Sequence, residues 1–401
     1  MLHRSLPCSG LALLFLLTAC GESAAVDAGT GADAGPTTQD AGADAGPPPS
    51  PAADYFELGP NPVGNVRVTL TDATRSRELP VEIWYPAAES ARAEAETGQP
   101  MTAFEPDPPR STELARLVGE RPECLRATTR SAAAPEPAGT EAWPIVVFSH
   151  CHSCTRFDMA ETAERLASFG IAVAAPDHEE NTMWDELMGS SATVGADFLE
   201  VRVADVRFVL DVLLDESSAM LPENLRGRFD ASRAGLMGHS FGAATVGITS
   251  SRDDRFIAGL AVAAPMTALG GGARIGDITT PFLFLLARED NSILEAGNNL
   301  IRGEARRLGG SSLLVEIEDA GHWSFSDHAG IIDLFNPGCG MGTRQTDGEA
   351  FTYVDIVQAR DLAADLAAAY FAHHLLGDEG GLTPILAGHP SGLTTVTWRP
   401  L

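Results

Sequence analysis

Positive charge is scarce in this chain of 401 residues: 27 Lys and Arg stand against 55 Asp and Glu, for a formal net charge of −28. That sign argues against polyanionic partners, and neither a basic patch nor a base-stacking motif offers a route to nucleic acid. Long apolar runs are lacking as well. The apolar stretch near the N-terminus, Leu11 to Leu17, is far shorter than the roughly 20 residues a membrane span needs. What the chain does have is 44% hydrophobic residues, enough to bury one large core, and a length that suits one catalytic domain with appendages.

His3 and Arg4 precede the apolar stretch, which ends in Leu17-Thr18-Ala19-Cys20-Gly21. Residues 1–19 read as a signal peptide, and the junction resembles a bacterial lipobox, which implies cleavage before Cys20 and lipidation of that cysteine. Acyl chains contribute about 0.8 kcal/mol per buried CH2, so several on one cysteine hold a protein to a membrane surface without a spanning helix. In the lipoproteins this segment resembles, an Asp after the cysteine is the usual inner-membrane retention signal. Gly21 stands there instead, so the expectation is an exported bacterial lipoprotein of the outer membrane, on its periplasmic or surface face. Residues 20–53 repeat Asp-Ala-Gly units around Pro47-Pro48-Pro49 and offer little to bury against the entropy of ordering a chain. They are expected to be a disordered tether, leaving 54–401 as the catalytic domain.

With Cys8 and Cys20 set aside, Cys124, Cys151, Cys154 and Cys339 remain. Export permits disulfides, but sequence does not rank the alternative pairings. Cys151-His152-Ser153-Cys154 has the C-x-x-C spacing of redox motifs, yet it follows a strand in a position that another motif explains better.

Apolar runs rich in β-branched residues at Val66–Leu70 and Leu79–Tyr85 flank a turn-rich segment and predict an opening hairpin. Residues 87–142 break the pattern with many Ala, Pro, Glu and Arg and one amphipathic stretch, Ser111–Val118, and are expected to be an insertion over the domain. Strands are then predicted at Ile145–Ser149, Ile171–Ala175, Ala234–Gly238, Phe256–Ala263, Pro281–Ala287 and Leu313–Ile317. Helices are predicted between them at Asp158–Phe169, Val194–Leu214, Phe241–Ser250 and Ala296–Leu308. A last helix, Val354–Leu376, carries Val357, Leu362, Leu366, Tyr370 and Phe371 as an apolar stripe. Short apolar runs alternating with helical patterns predict an α/β domain whose mostly parallel central sheet has helices on both faces.

Gly238-His239-Ser240-Phe241-Gly242 lies where a predicted strand meets a predicted helix, the context a G-x-S-x-G nucleophile elbow requires. The turn is tight enough to strain the serine's dihedrals, and the flanking glycines let backbone approach closely. Ser240 is therefore the candidate nucleophile. An alkoxide is too costly to form unaided near neutrality, so the serine needs a base within hydrogen-bond reach and a third group to fix that base's tautomer. His322, in a loop after the strand Leu313–Ile317, is the candidate base, with His328, His373, His374 and His389 in structural roles. Asp290, just past the strand Pro281–Ala287, is the candidate acid, and its neighbour Glu289 is the rival. The tetrahedral intermediate of acyl transfer also needs two N–H donors. The backbone of Phe241 supplies one, and the loop after Ile145–Ser149 the other, with His152 favoured and Cys151 next.

Val147-Phe148-Ser149-His150, Pro176-Asp177-His178, the Gly-His-Ser-Phe-Gly elbow and His322-Trp323-Ser324-Phe325-Ser326-Asp327 together resemble the platelet-activating factor acetylhydrolase and dienelactone hydrolase-like branch of the α/β hydrolases. The resemblance covers roughly Asn65 to Gly377. It implies an α/β-hydrolase fold and a serine esterase that cleaves short-chain, lipid-like or lactone esters through an acyl-enzyme, without a cofactor. In the acetylhydrolases the acid follows the strand directly after the nucleophile helix, but Leu260-Ala261-Val262-Ala263-Ala264-Pro265 holds no carboxylate, which moves the role to Asp290. Cys151 also replaces the usual glycine after Ser149-His150.

His150, His152, Asp177, His178 and Glu179 gather at the predicted ends of neighbouring strands, but the family-like motifs account for His150 and His178 as structural residues, so no metal is expected. Met183 and Trp184 are expected to line the cleft or the core. A noncatalytic surface lipoprotein that binds through the same scaffold is the alternative from another class, motivated by Ala263 and Cys151. Natural substrate and oligomeric state are left open.

Overall fold

The computed structural model describes residues 54–120, 123–267, 274–336 and 338–398. The expected signal segment, Cys20 and the expected tether lie outside them. Ten strands form one sheet: β1 (Val63–Asp72), β2 (Arg77–Pro86), β3 (Ala132–Ala133), β4 (Trp143–Ser149), β5 (Ala172–Pro176), β6 (Phe229–His239), β7 (Phe256–Val262), β8 (Phe282–Ala287), β9 (Ser312–Ile317) and β12 (Thr394–Trp398). A separate hairpin pairs β10 (Met341–Thr343) with β11 (Ala350–Thr352). The spatial order is β12-β9-β8-β7-β6-β4-β5-β2-β1-β3. From β5 to β9 every pairing is parallel, while β1–β2, β2–β5 and β12–β9 are antiparallel. This is the mostly parallel sheet that the alternation of apolar runs and helical patterns predicts, in the α/β-hydrolase form that the resemblance implies.

A strand covered on both faces must be apolar on both, and β8 shows why. Phe282, Phe284 and Leu286 point into one core layer with Val206, Val209 and Leu210 of helix Ala196–Leu214 and Ile301 and Ala305 of helix Leu294–Leu308. Leu283, Leu285 and Ala287 point into the other, with Ala163 and Leu166 of helix Ala160–Ser168 and Leu362, Leu366 and Tyr370 of helix Ile356–Phe371. Loops that follow the C-terminal ends of β4, β6, β8 and β9 thereby open on one edge, where sites in such sheets form.

The insertion is bolted down rather than draped. It contains helices Arg92–Thr97 and Arg110–Glu120, the second burying Leu114 and Leu117. The buried guanidinium of Arg156 meets Glu105 at 2.8 Å, Asp177 at 2.8 Å and Glu82 at 3.0 Å, so one cation ties the insertion to β2 and to the end of β5. Burial, partly offset by that arginine, pushes Glu82 up to about 6. Disulfides join Cys124 to Cys339 and Cys151 to Cys154, which resolves the pairing.

Two features depart from expectation, the place of Val357 and a strand near the C-terminus. Val357 is 53% exposed and lies off the stripe, because helix Ile356–Phe371 begins with Asp355 capping its first turn and presents Ile356, Ala359 and Leu362 inward. Met183 and Trp184, expected in the cleft or the core, are core residues, buried in a short helix, Met183–Met188, that Thr182 and Asp185 cap reciprocally. Strand β12 was not expected, since its alternating Thr394-Thr395-Val396-Thr397-Trp398 follows a turn-rich tail and pairs antiparallel at the edge. Deleting a buried leucine removes transfer energy and leaves a cavity, so Leu362→Ala should cost about 2–5 kcal/mol, whereas Val357→Ser should stay within about 0.5 kcal/mol of wild type. Urea unfolding midpoints of the two variants check the assignment; equal losses would return Val357 to the core.

Candidate active site

Strand β6 ends at His239 and helix Phe241–Ser250 starts two residues later, so the reversal falls on Ser240, whose φ of 55° and ψ of −116° lie in a region side chains rarely adopt. The surrounding backbone enforces it. A Cβ on Gly238 would run into the Gly242 carbonyl, and one on Gly242 into the Ser149 carbonyl of β4. The first N–H groups of a helix have no intrahelical acceptor, and that of Phe241 is therefore available beside the Ser240 hydroxyl.

Ser240 Oγ lies 2.8 Å from His322 Nε2, and His322 Nδ1 lies 2.7 Å from Asp290 Oδ2. The other Asp290 oxygen accepts N–H bonds from Ser292 at 2.9 Å and Ile293 at 3.0 Å, which fix the carboxylate's plane. Glu289, the rival, points elsewhere. It binds Arg344 at 2.9 Å and the Gln345 N–H at 3.0 Å on the β10–β11 hairpin, so neighbouring carboxylates on one loop have opposite commitments. With Nδ1–H donated to Asp290, His322 presents the Nε2 lone pair to the serine hydroxyl.

In the loop after β4, the Cys151 N–H is committed to Asp158 Oδ2 at 3.3 Å, which leaves the His152 N–H as the candidate oxyanion donor of that pair. The His152 ring packs 6.4 Å from the Phe241 ring and binds Asn181 at 2.8 Å. Beneath both donors lies Arg202. Its guanidinium covers the Phe241 ring at 4.7 Å and donates to Ser149 Oγ at 3.0 Å, Asn181 Oδ1 at 2.7 Å, Thr245 Oγ1 at 3.1 Å and the His150 carbonyl. Sequence reading missed Arg202, although an arginine one turn from Phe198 and Leu199 on an apolar face was the available signal.

The histidines near the cleft are internally committed. His150 Nδ1 donates to the Cys151 carbonyl while Nε2 accepts the His178 N–H at 3.0 Å. His178 Nδ1 lies 3.0 Å from Asp205 and Nε2 2.9 Å from the Ser149 hydroxyl, and Asp177 is taken by Arg156. Burial, followed by the charge of Arg202, holds both rings well below the ordinary histidine range. Cys151, Cys154 and Asp158 bring ligand-type atoms within 4.8 Å of one another. Disulfide sulfurs lack thiolate character, however, and the Asp158 oxygens already accept from His239, Ser326 and Cys151.

A groove of about 500 Å³, lined by Ala192–Phe198 and Val201, flanks the apolar cluster of Phe198, Leu199, Val203 and Phe241. Ser240 is not among its walls.

The family model described as platelet-activating factor acetylhydrolase, isoform II, matches residues 57–188 and 203–332. An Arthroderma benhamiae protein named "Probable 1-alkyl-2-acetylglycerophosphocholine esterase" is 27% identical over 252 residues, 60% of this chain and 62% of that one. A Thermobifida alba protein named cutinase est2 is 30% identical over 155 residues, 38% of this chain and 44% of its own length. The chain thus matches less than two thirds of either relative. The solved ferulic acid esterase from Streptomyces cinnamoneus superposes with a TM-score of 0.62 at 24% identity, covering 84% of this chain and 96% of that one.

The neutral state of His178 has a measurable consequence. An unfolded histidine takes a proton near pH 6.5 while the buried one does not, so the unfolded state binds more protons below that pH and stability falls as pH drops. Between pH 6 and 5 the unfolding free energy of His178→Gln should therefore vary less steeply than wild type, by up to about 1.4 kcal/mol per pH unit. Urea titrations at several pH values read this, and identical slopes would mean that His178 is charged in the native protein.

Proposed function

Because the chain belongs to the platelet-activating factor acetylhydrolase, isoform II, family, we propose that it hydrolyses carboxylic esters through an acyl-enzyme, with Ser240 as nucleophile, His322 as base and Asp290 as the carboxylate that orients it. The observation that carries this reading is the unbroken relay Ser240 Oγ, His322 Nε2, His322 Nδ1, Asp290 Oδ2, with steps of 2.8 Å and 2.7 Å between residues. Attack by Ser240 on the ester carbonyl passes the hydroxyl proton to His322 Nε2, and Asp290 stabilises the imidazolium. The alcohol leaves with that proton. Water then gives a proton to the same nitrogen as its oxygen attacks the acyl carbon, and the acid and free serine result. The Phe241 and His152 N–H groups receive the oxyanion, a donor of this kind being worth roughly 3–4 kcal/mol.

The two relatives differ in the substrate they are named for and agree on ester cleavage, which favours a short-chain or lipid-like carboxylic ester; the groove over Phe198 and Val201 borders the apolar cluster that Phe241, at the start of the nucleophile's helix, belongs to. The sequence around Cys20 further supports an exported protein held to a membrane by acyl chains on that residue.

A fluorophosphonate probe should label the wild type and not Ser240→Ala, and p-nitrophenyl acetate turnover should disappear with the label. Unchanged turnover in Ser240→Ala would reject the nucleophile. Asp290→Asn should lower kcat by about 10⁴-fold, since it disturbs the tautomer of His322, whereas Glu289→Gln, which loses only the Arg344 contact, should lower it far less. The reverse ranking would assign the acid to Glu289. Palmitate incorporated in a bacterial host should be absent from Cys20→Ala, and persistent label would remove the anchor.

A further inference from the structure

His239, the residue before the nucleophile, is fully buried, and both of its ring nitrogens face acceptors. Nδ1 lies 3.0 Å from Asp158 Oδ2 and Nε2 lies 3.0 Å from the backbone carbonyl oxygen of His322. A neutral imidazole carries a single N–H, so both contacts are hydrogen bonds only in the imidazolium form. A carbonyl cannot donate. Asp158 accepts as a carboxylate: besides His239, the Ser326 hydroxyl and the Cys151 N–H point at its oxygens.

The pair joins three of the four loops that the reaction uses, all but the one that carries Asp290. Through Cys151, Asp158 touches the loop that carries His152; through Ser326, the loop that follows His322; and through His239, the elbow itself. The Asp327 N–H also donates to the Asp158 carbonyl at 2.7 Å. His322 is thus mounted at two points, its ring by Asp290 and its backbone by His239.

We propose that Asp158 and the His239 imidazolium form a buried ion pair that positions His322 against Ser240 during ester hydrolysis. The proposal rests on the reading of Ser240, Asp290 and His322 as the catalytic groups, and neither member of the pair touches the substrate. The groups facing His239 are Asp158, the rings of His322 at 5.3 Å and Trp323 at 5.5 Å, and the more distant Asp290; His328 Nδ1 stands 3.7 Å from the other Asp158 oxygen. Burial, the largest influence on His239, opposes its charge, but the Asp158 charge and hydrogen bond, the His322 carbonyl and Asp290 outweigh it and raise its pKa above the ordinary histidine value. Asp158 is held well below the usual carboxylate range against the opposing effect of burial, mainly by His239. A raised histidine keeps its proton above pH 6.5 and loses it as pH climbs through the raised value, so the grip on the His322 backbone weakens on the alkaline side.

Two measurements on the full chain test this. In ¹⁵N-histidine NMR of the wild type near pH 7, two rings contact Trp323, those of His239 and His322; the one that keeps its shifts in Ser240→Ala, His239, should show both nitrogens protonated, and a neutral ring overturns the proposal whether or not a His239 variant folds. In kinetics with p-nitrophenyl acetate, His239→Gln keeps an N–H for the His322 carbonyl but no charge. Its kcat should fall roughly hundredfold, the scale of a small misplacement of reacting groups, with KM within about threefold and without the alkaline decline of the wild-type profile. His239→Phe, which offers no donor, should fall further. A Gln variant with wild-type kcat and an unchanged alkaline decline overturns the proposal. Fluorophosphonate labelling separates the two levels: an unlabelled wild type rejects the catalytic reading, whereas a labelled wild type with a neutral His239 rejects the positioning pair alone.

Discussion

Between β6 and the helix that follows it, the Ser240 hydroxyl reaches His322 because the chain reverses within a single residue, at a positive φ. The strain of such a residue, of order 1–3 kcal/mol, persists only where the surroundings over-determine it. Here the parallel register of β4 and β6 brings Ser149 opposite Gly238, and the missing Cβ atoms of Gly238 and Gly242 let the helix start pack directly onto the strand ends. The position of the Phe241 N–H, the approach of His322 and the seating of Arg202 on the Phe241 ring all follow from that bend.

Much of this was legible because the elbow is a local feature. Residue types at a strand-to-helix junction are enough to identify Ser240, and chain order is enough to bring in His322, since each follows a strong apolar run at a strand's C-terminal end. Asp290 could be favoured over Glu289 but not separated from it, because the difference lies in distant partners: Ser292 and Ile293 N–H groups for one, Arg344 of the hairpin for the other. Asp158 was invisible for the same reason, and for Arg202 the apolar face of its helix signals burial but not the partners. Each has partners spread over segments far apart in sequence, and nothing in a local window shows them. Val357 fails differently: its hydrophobicity fits the helical period, but a first-turn residue beside an Asp cap can face water without cost.

The protein handles buried charge in a consistent way. All of its 27 cationic side chains are arginine, and Arg156, Arg165 and Arg202 are buried with several oxygen partners each. A planar fork of five donors can satisfy several acceptors at once, which a compact ammonium cannot. Removing one partner of such a buried set is costly because the remaining charge is left unpaired. The insertion, held through Arg156 to Glu82 and Asp177, is in that sense part of the domain rather than an ornament on it.

The bond between Cys124 and Cys339 bridges 215 residues, and this separation imposes an order on biogenesis. As the polypeptide emerges, Cys124 precedes β4 through β9, while its partner comes after all of them. Throughout that interval its thiol shares the nascent chain with Cys151 and Cys154, both far nearer in sequence and both able to capture it. Closure of the Cys151–Cys154 pair before Cys339 emerges would remove those competitors and leave Cys124 for the last cysteine to arrive.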